Sequence, residues 1–171
     1  MGLLRGRGEE PQRRFQMREE LISIGDDYWI EDESGTKVFK VNGKAARVRD
    51  TFKLEDTLGS TVASIQEKKL SARDRIKIDL PDGKSATVKK AMVGVRDRFH
   101  VDVDGGAEMK IHGNIVDHEY EIERSGDKVA EISKKWFRVR DSYGVAVFDE
   151  TDTVLLLAIT VAVDSLAHHI H

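Results

Sequence analysis

The sequence predicts a mainly β protein: about twelve antiparallel strands, arranged as six hairpin-like repeats, closed into a barrel around one buried apolar α-helix. Three observations carry that fold. A six-residue phrase recurs along most of the chain. Glycine turns fall between the recurrences. Near the end, the ten residues from Val154 to Val163 include one polar side chain, Thr160, in a chain that is 35% charged.

The phrase is R-D-x-aromatic-x-aliphatic, and it appears as RDTFKL at Arg49, RDRIKI at Arg73, RDRFHV at Arg96 and RDSYGV at Arg140. The weaker copies DHEYEI at Asp117 and GDDYWI at Gly25 complete a period of about 23 residues, of the kind that marks a repeated supersecondary unit. The fourth residue of each copy is Tyr28, Phe52, Ile76, Phe99, Tyr120 or Tyr143, and the sixth is Ile30, Leu54, Ile78, Val101, Ile122 or Val145. Alternation of this kind is the mark of a half-buried strand. The motif Arg is missing from two copies and the motif Asp from one, where His118 replaces it.

Each copy runs on into a turn and a second alternating stretch. The turns are ESGT after Asp32, TLGS after Asp56, PDGK after Leu80, DGG after Val103 and SGD after Arg124. Glycine supplies the positive φ that tight hairpin turns require. Each repeat is therefore a hairpin, the sixth contributing one strand from Arg140 to Phe148, with a further strand in residues 15 to 24.

The apolar run near the chain end is too short for a transmembrane helix, which needs about 20 apolar residues, because Asp164 ends it after ten. Leu166, Ala167 and Ile170 carry it past usual strand length, so it reads as a helix over about 150–168. Asp149, Glu150 and Asp152 suit the positive end of the helix dipole, and His168, His169 and His171 suit the negative end. A helix apolar on every side must be surrounded by protein. A twelve-strand barrel has a lumen wider than its own side chains fill, so each element supplies what the other lacks.

At 171 residues the chain suits one domain, with residues 1 to 14 expected to form a mobile tail and 15 to 171 the barrel. No cysteine is present, which excludes disulfides and thiolate chemistry and fits a cytoplasmic, optionally membrane-peripheral, location. The first residues contain no apolar stretch of signal-peptide type. The net charge of -3 gives no general field for nucleic acid, and no nucleic-acid partner is expected.

With these residues identified, the chain resembles the LURP-one-related family over about residues 15 to 168. The corners EKKLSARDRIKI, VKKAMVGVRDRF and ISKKWFRVRDSYGV carry the likeness, with the acidic step into LLLAITVAVD. That family shares the Tubby C-terminal barrel with Tubby proteins and phospholipid scramblases. The resemblance implies a twelve-stranded barrel with the C-terminal helix as its axis. It also brings in phosphoinositide binding as known for Tubby proteins and calcium-responsive membrane action as known for scramblases.

Catalytic patterns are absent from the sequence. His118 has no second histidine of the H-E-x-x-H type, no G-x-S-x-G occurs, and Val38 breaks the one approach to a phosphate loop. The acidic residues lack the spacing of an oxygen cage, and His168, His169 and His171 read as a frayed helix end rather than a metal site. The protein is therefore expected to be no enzyme, with no cofactor and no metal. The recurring Arg-Asp pairs are expected to be structural, Asp capping the corner backbone and Arg pairing with neighbouring acids.

Up-and-down strands would gather the glycine turns and their acids at one barrel end and the motif corners with their lysines at the other. The candidate binding residues are Lys68, Lys69, Lys89, Lys90, Lys134, Lys135, Trp136 and Arg138. They are expected to form a basic rim that meets an anionic lipid headgroup, membrane surface or phosphorylated ligand, one lysine of each pair reaching outward. The alternative is a structural or protein-interaction adaptor. The third reading is a scramblase-like calcium-dependent membrane protein.

Overall fold

The structure, a computed structural model, describes residues 11, 13–18, 27–43, 51–68, 75–93, 96–137 and 141–168, with side chains for all of these except 91–98 and 168. The strands are β1 (Arg13–Arg18), β2 (Tyr28–Asp32), β3 (Lys37–Asn42), β4 (Thr51–Glu55), β5 (Thr61–Lys68) and β6 (Arg75–Asp79). They continue with β7 (Ser85–Val93), β8 (Arg96–Val103), β9 (Met109–Asn114), β10 (Glu119–Arg124), β11 (Asp127–Ser133) and β12 (Ser142–Val147). Among the described residues there is one α-helix, α1 (Thr153–His168), which follows a 3-10 turn over Glu150–Asp152.

All twelve strands form one closed barrel in which each strand pairs with its neighbour in sequence and β1 returns to β12. The six motif copies lead into β2, β4, β6, β8, β10 and β12, as the period predicts. β1 begins at Arg13, taking into the wall two arginines, Arg13 and Arg14, that the sequence alone assigned to the tail. Residues 1–10 and 12 lie outside the described residues.

Alternation sends one face of every strand inward. Phe15, Ile30, Leu54, Ile65, Ile78, Val101 and Ile122 are all at most 1% exposed and pack on α1, whose residues from Leu155 to Leu166 are all buried. Thr160, the polar interruption in the apolar run, donates its hydroxyl to the Leu156 carbonyl at 2.9 Å and so enters the lumen with its polarity satisfied. Asp164, which in the sequence ends the run, is fully buried as well.

The turns explain why one end of the barrel is acidic. The Asp32 carboxylate accepts from the Ser34 hydroxyl at 2.7 Å, the Ser34 amide at 2.9 Å and the Thr36 amide at 3.0 Å. These bonds, the Ser34 hydroxyl foremost, hold its pKa below the usual value. Asp56 repeats the arrangement with the amides of Leu58 and Ser60, both at 2.9 Å. In both turns a glycine three residues on supplies positive φ, +80° at Gly35 and +85° at Gly59. The acids of this end are turn-forming groups.

β12 is buried along its whole length. Its outer side is covered near Gly144, where a Cβ would lie 2.9 Å from the Phe137 ring and 3.0 Å from the Trp136 ring. A 3-10 turn at Lys134–Trp136, capped by the Ser133 hydroxyl accepting from the Lys135 amide, delivers those two rings.

Candidate functional site

The strand register sorts the expected basic rim into separate places. Lys68 closes β5 and lies opposite Arg75 on β6, and Arg75 lies opposite Lys89 on β7. The intervening Ile65, Ile76, Ile78 and Val88 are buried, so these three cations share the outer wall. Lys53 on β4 and Lys77 on β6 extend the patch, Lys53 lying opposite Ser64 and Lys77 opposite Gln66 and Thr87. Lys89 contacts the Asp102 carboxylate, and Lys77 lies 3.7 Å from Asp79. Lys68 and Arg75 have no carboxylate at ion-pair distance among the described residues.

Lys90 is paired with Phe99, which is 1% exposed, and alternation places it on the inner face. The Lys89-Lys90 pair is thus split, Lys89 outward and Lys90 inward. Lys134 and Lys135 stand on the 3-10 turn between β11 and β12. The Lys134 amide donates to Glu119 at 3.0 Å, and the Lys135 ammonium lies 3.5 Å from Glu131 and 5.4 Å from the centre of the Trp136 ring. Arg14 lies on the same indole at 5.8 Å.

In the closed strand order β12 is six strands away from β6, so Trp136 and its lysines occupy the wall opposite Lys68 and Lys89. The expected rim residues thus fall on two sides of the barrel, Lys68 and Lys89 on one and Lys134, Lys135 and Trp136 on the other, with Trp136 packed against β12. Lys69 and Arg138 lie outside the described residues. Sequence reasoning missed Arg75, Lys77 and Lys53, although Arg75 and Lys77 alternate with Ile76 and Ile78 in RDRIKI and could have been assigned outward.

Of the motif aspartates, Asp50 and Asp74 lie outside the described residues, as does the Asp97 side chain. Asp141 adopts φ 60° and His118, in the equivalent place, φ 53°. In these two copies the motif position is a left-handed corner, which Asp tolerates better than most residues.

Like charges directly opposite on neighbouring strands oppose folding. The row Lys68–Arg75–Lys89 places three of them side by side over about 10 Å of wall, two interstrand spacings. Such a row concentrates positive charge on the wall, and Asp102 meets it at Lys89.

A second polar cluster lies inside the barrel. Tyr28, Tyr120 and Tyr143, all the tyrosines of the chain, occupy the same repeat position in the first, fifth and sixth copies, which barrel closure brings close together. Tyr143 donates its hydroxyl to Asp164 of α1, and His118 stacks on the Tyr143 ring at 4.3 Å with Nδ1 3.4 Å from Asp164. Burial first, and then the Asp164 charge, push all three phenols well above their usual pKa. They remain protonated donors at neutral pH. The Tyr28 and Tyr120 hydroxyls are buried with no hydrogen-bond partner among the described residues; Thr160 acts on Tyr120 without meeting hydrogen-bond geometry.

A closed antiparallel barrel threaded by its own C-terminal helix defines a recognisable class of β protein. The model of the family described as LURP-one-related matches residues 13–164, and the chain belongs to that family. Among solved structures it is similar to the X-ray structure of a protein from Arabidopsis thaliana, at 19% sequence identity with a TM-score of 0.67. The match covers 92% of this chain and 93% of that one, and at this identity it shows the fold. No curated protein matches the sequence.

Proposed function

We propose that this protein is a non-enzymatic binding module that docks on anionic lipid surfaces from the cytoplasmic side through the outer wall of β4 to β7. The cross-strand row Lys68–Arg75–Lys89 carries this reading. Lys53 and Lys77 reinforce it. The outer wall of a barrel is convex, so it suits an extended charged surface better than a small phosphorylated ligand, which needs enclosure. Basic side chains near an anionic bilayer contribute about 1 kcal/mol each. On the opposite wall Lys135 lies 3.5 Å from Glu131 and shares Trp136 with Arg14, and the strand pairings there form no comparable cross-strand row of cations among the described residues.

Flotation with phosphatidylserine-containing vesicles tests the proposal. Reversing Lys53, Lys68 and Arg75 to Glu removes three attractions, adds three repulsions and is expected to abolish flotation with the melting temperature close to the parent. Reversing Lys134 and Lys135 is expected to leave flotation intact. Flotation by the β4–β6 variant equal to the parent refutes the wall as the docking face. Loss in the β11–β12 variant alone moves the site to the Trp136 side.

A further inference from the structure

The lumen presents the helix with an uneven problem. Apolar contact is non-directional, so a helix that is apolar all round gains nearly the same burial at several axial positions. Polar contacts at its two ends remove that degeneracy. At the turn end, Arg124 contacts Asp149 and lies 2.5 Å from Asp152, just ahead of the first turn of α1. At the corner end, His118 lies 3.4 Å from Asp164, in the last turn of α1. There the carbonyl ends of the helix repel a carboxylate and the site is buried, and His118 joins the Tyr143 hydroxyl in facing it.

His118 and Arg124 belong to the same strand unit. His118 immediately precedes β10, Glu119–Arg124, and Arg124 is its last residue. Six residues of extended chain span about 20 Å, and the twelve residues from Asp152 to Asp164 rise about 18 Å as a helix. The lengths match. We infer that β10 is a two-ended strap that fixes the axial register of the central helix, Arg124 holding the 3-10 turn that leads into it and His118 its far end. The fifth repeat, which departs from R-D at both positions, is the one specialised as the strap. His118 stands where the other copies carry Asp26, Asp50, Asp74, Asp97 and Asp141, and it alone among these residues can face a buried carboxylate with attraction.

The strap predicts local release. Arg124 holds its end through charge-assisted hydrogen bonds and His118 holds the other through a contact at ion-pair distance, so loss of one end should speed amide exchange at that end of the helix by roughly tenfold or more. Native-state hydrogen exchange on three variants provides the test. Arg124→Gln is expected to accelerate the amides of Leu157 to Ile159 and leave Val163 to Leu166 at the parental rate. His118→Asn, in which Asn tolerates the left-handed backbone, is expected to do the reverse, and the milder Asp164→Asn to match it. The amides of β5 to β8 are expected to keep parental rates in all three. In the double variant Arg124→Gln/His118→Asn, the methyl groups of Leu157 and Ile159 are expected to show more than one set of NMR signals as the helix samples several registers. A common acceleration of helix and strands, unchanged helix exchange, or a single set of methyl signals in the double variant overturns the strap.

Discussion

Replacing Gly144 by Ala probes how the outside of β12 is closed. The added Cβ would meet Phe137 Cδ2 at 2.9 Å, Phe137 Cε2 at 3.0 Å and Trp136 Cε3 at 3.0 Å, so both rings must withdraw by about half an ångström or more to reach ordinary contact. Gly144 itself cannot retreat, since it is paired with Gln16 of β1 and Ser133 of β11. The rings are only half-buried and can swing outward, which places the cost within the usual overpacking range of about 1–3 kcal/mol. For a chain of this size that corresponds to a fall in melting temperature of roughly 2–12 °C. The emission of Trp136, recorded in a Trp29→Phe background, should shift to the red as the indole enters water. An unchanged melting temperature together with unchanged emission would show that the two rings do not cover β12. The same variant separates two roles for Trp136: if the freed indole strengthens vesicle binding, the β11–β12 wall takes part in docking, and if binding is unaffected, Trp136 serves the barrel alone.

Leu157→Asp or Ile159→Asp places an unpaired charge at a fully buried lumen position and should cost more than about 3 kcal/mol, read as loss of a cooperative melt; a small shift would put the helix outside the core. The three buried phenols have folded pKa values above the ordinary 10.0, so their contribution is complete below about pH 10 and is lost at higher pH, where the unfolded chain ionises first. Tyr143→Phe should flatten that alkaline slope in urea titrations. At the other end, partial burial works to raise Asp149, but hydrogen bonds from Arg124 and Thr151 outweigh it and hold the carboxyl below 3.8. Its contribution is present above that value and lost as the pH falls past it, and Arg124→Gln should reduce this acid-range dependence of the melting temperature, the Thr151 bonds remaining.

The fold was legible because each strand announces itself twice, by alternation and by its place in the period. The buried helix followed from the mismatch between Val154–Val163 and the charged chain around it. The sites were harder to read, since a functional patch on a barrel depends on lateral register. Lys68, Arg75 and Lys89 are separated along the chain and become neighbours only through the pairings of β5, β6 and β7. Lys134 and Trp136 look equivalent to Lys68 in the repeat yet lie six strands away. The three tyrosines were visible at one motif position, but their convergence on Asp164 needs both barrel closure and a helix threaded to the right depth. Asp164 itself read as the polar stop after an apolar run, because nothing local to it tells of the Tyr143 hydroxyl and His118 that wait at the end of the lumen.

The pairing of β1 with β12 also dictates an order of events during folding. Arg13 finds Val147 and Arg18 finds Ser142 across more than about 120 residues of intervening chain, a contact whose loop-closure cost is among the largest the molecule meets. On the ribosome, the five hairpins built on glycine turns can form as they emerge, but β1 must wait as an edge until β12 arrives. The helix follows β12, so the segment that fills the lumen is synthesised after all twelve strands. Until then the inner faces of the emerging hairpins, and the unpaired edge of β1, are exposed to other chains. Assembly of this barrel is therefore expected to be slow for its size and most prone to aggregation just before the helix is released from the exit tunnel.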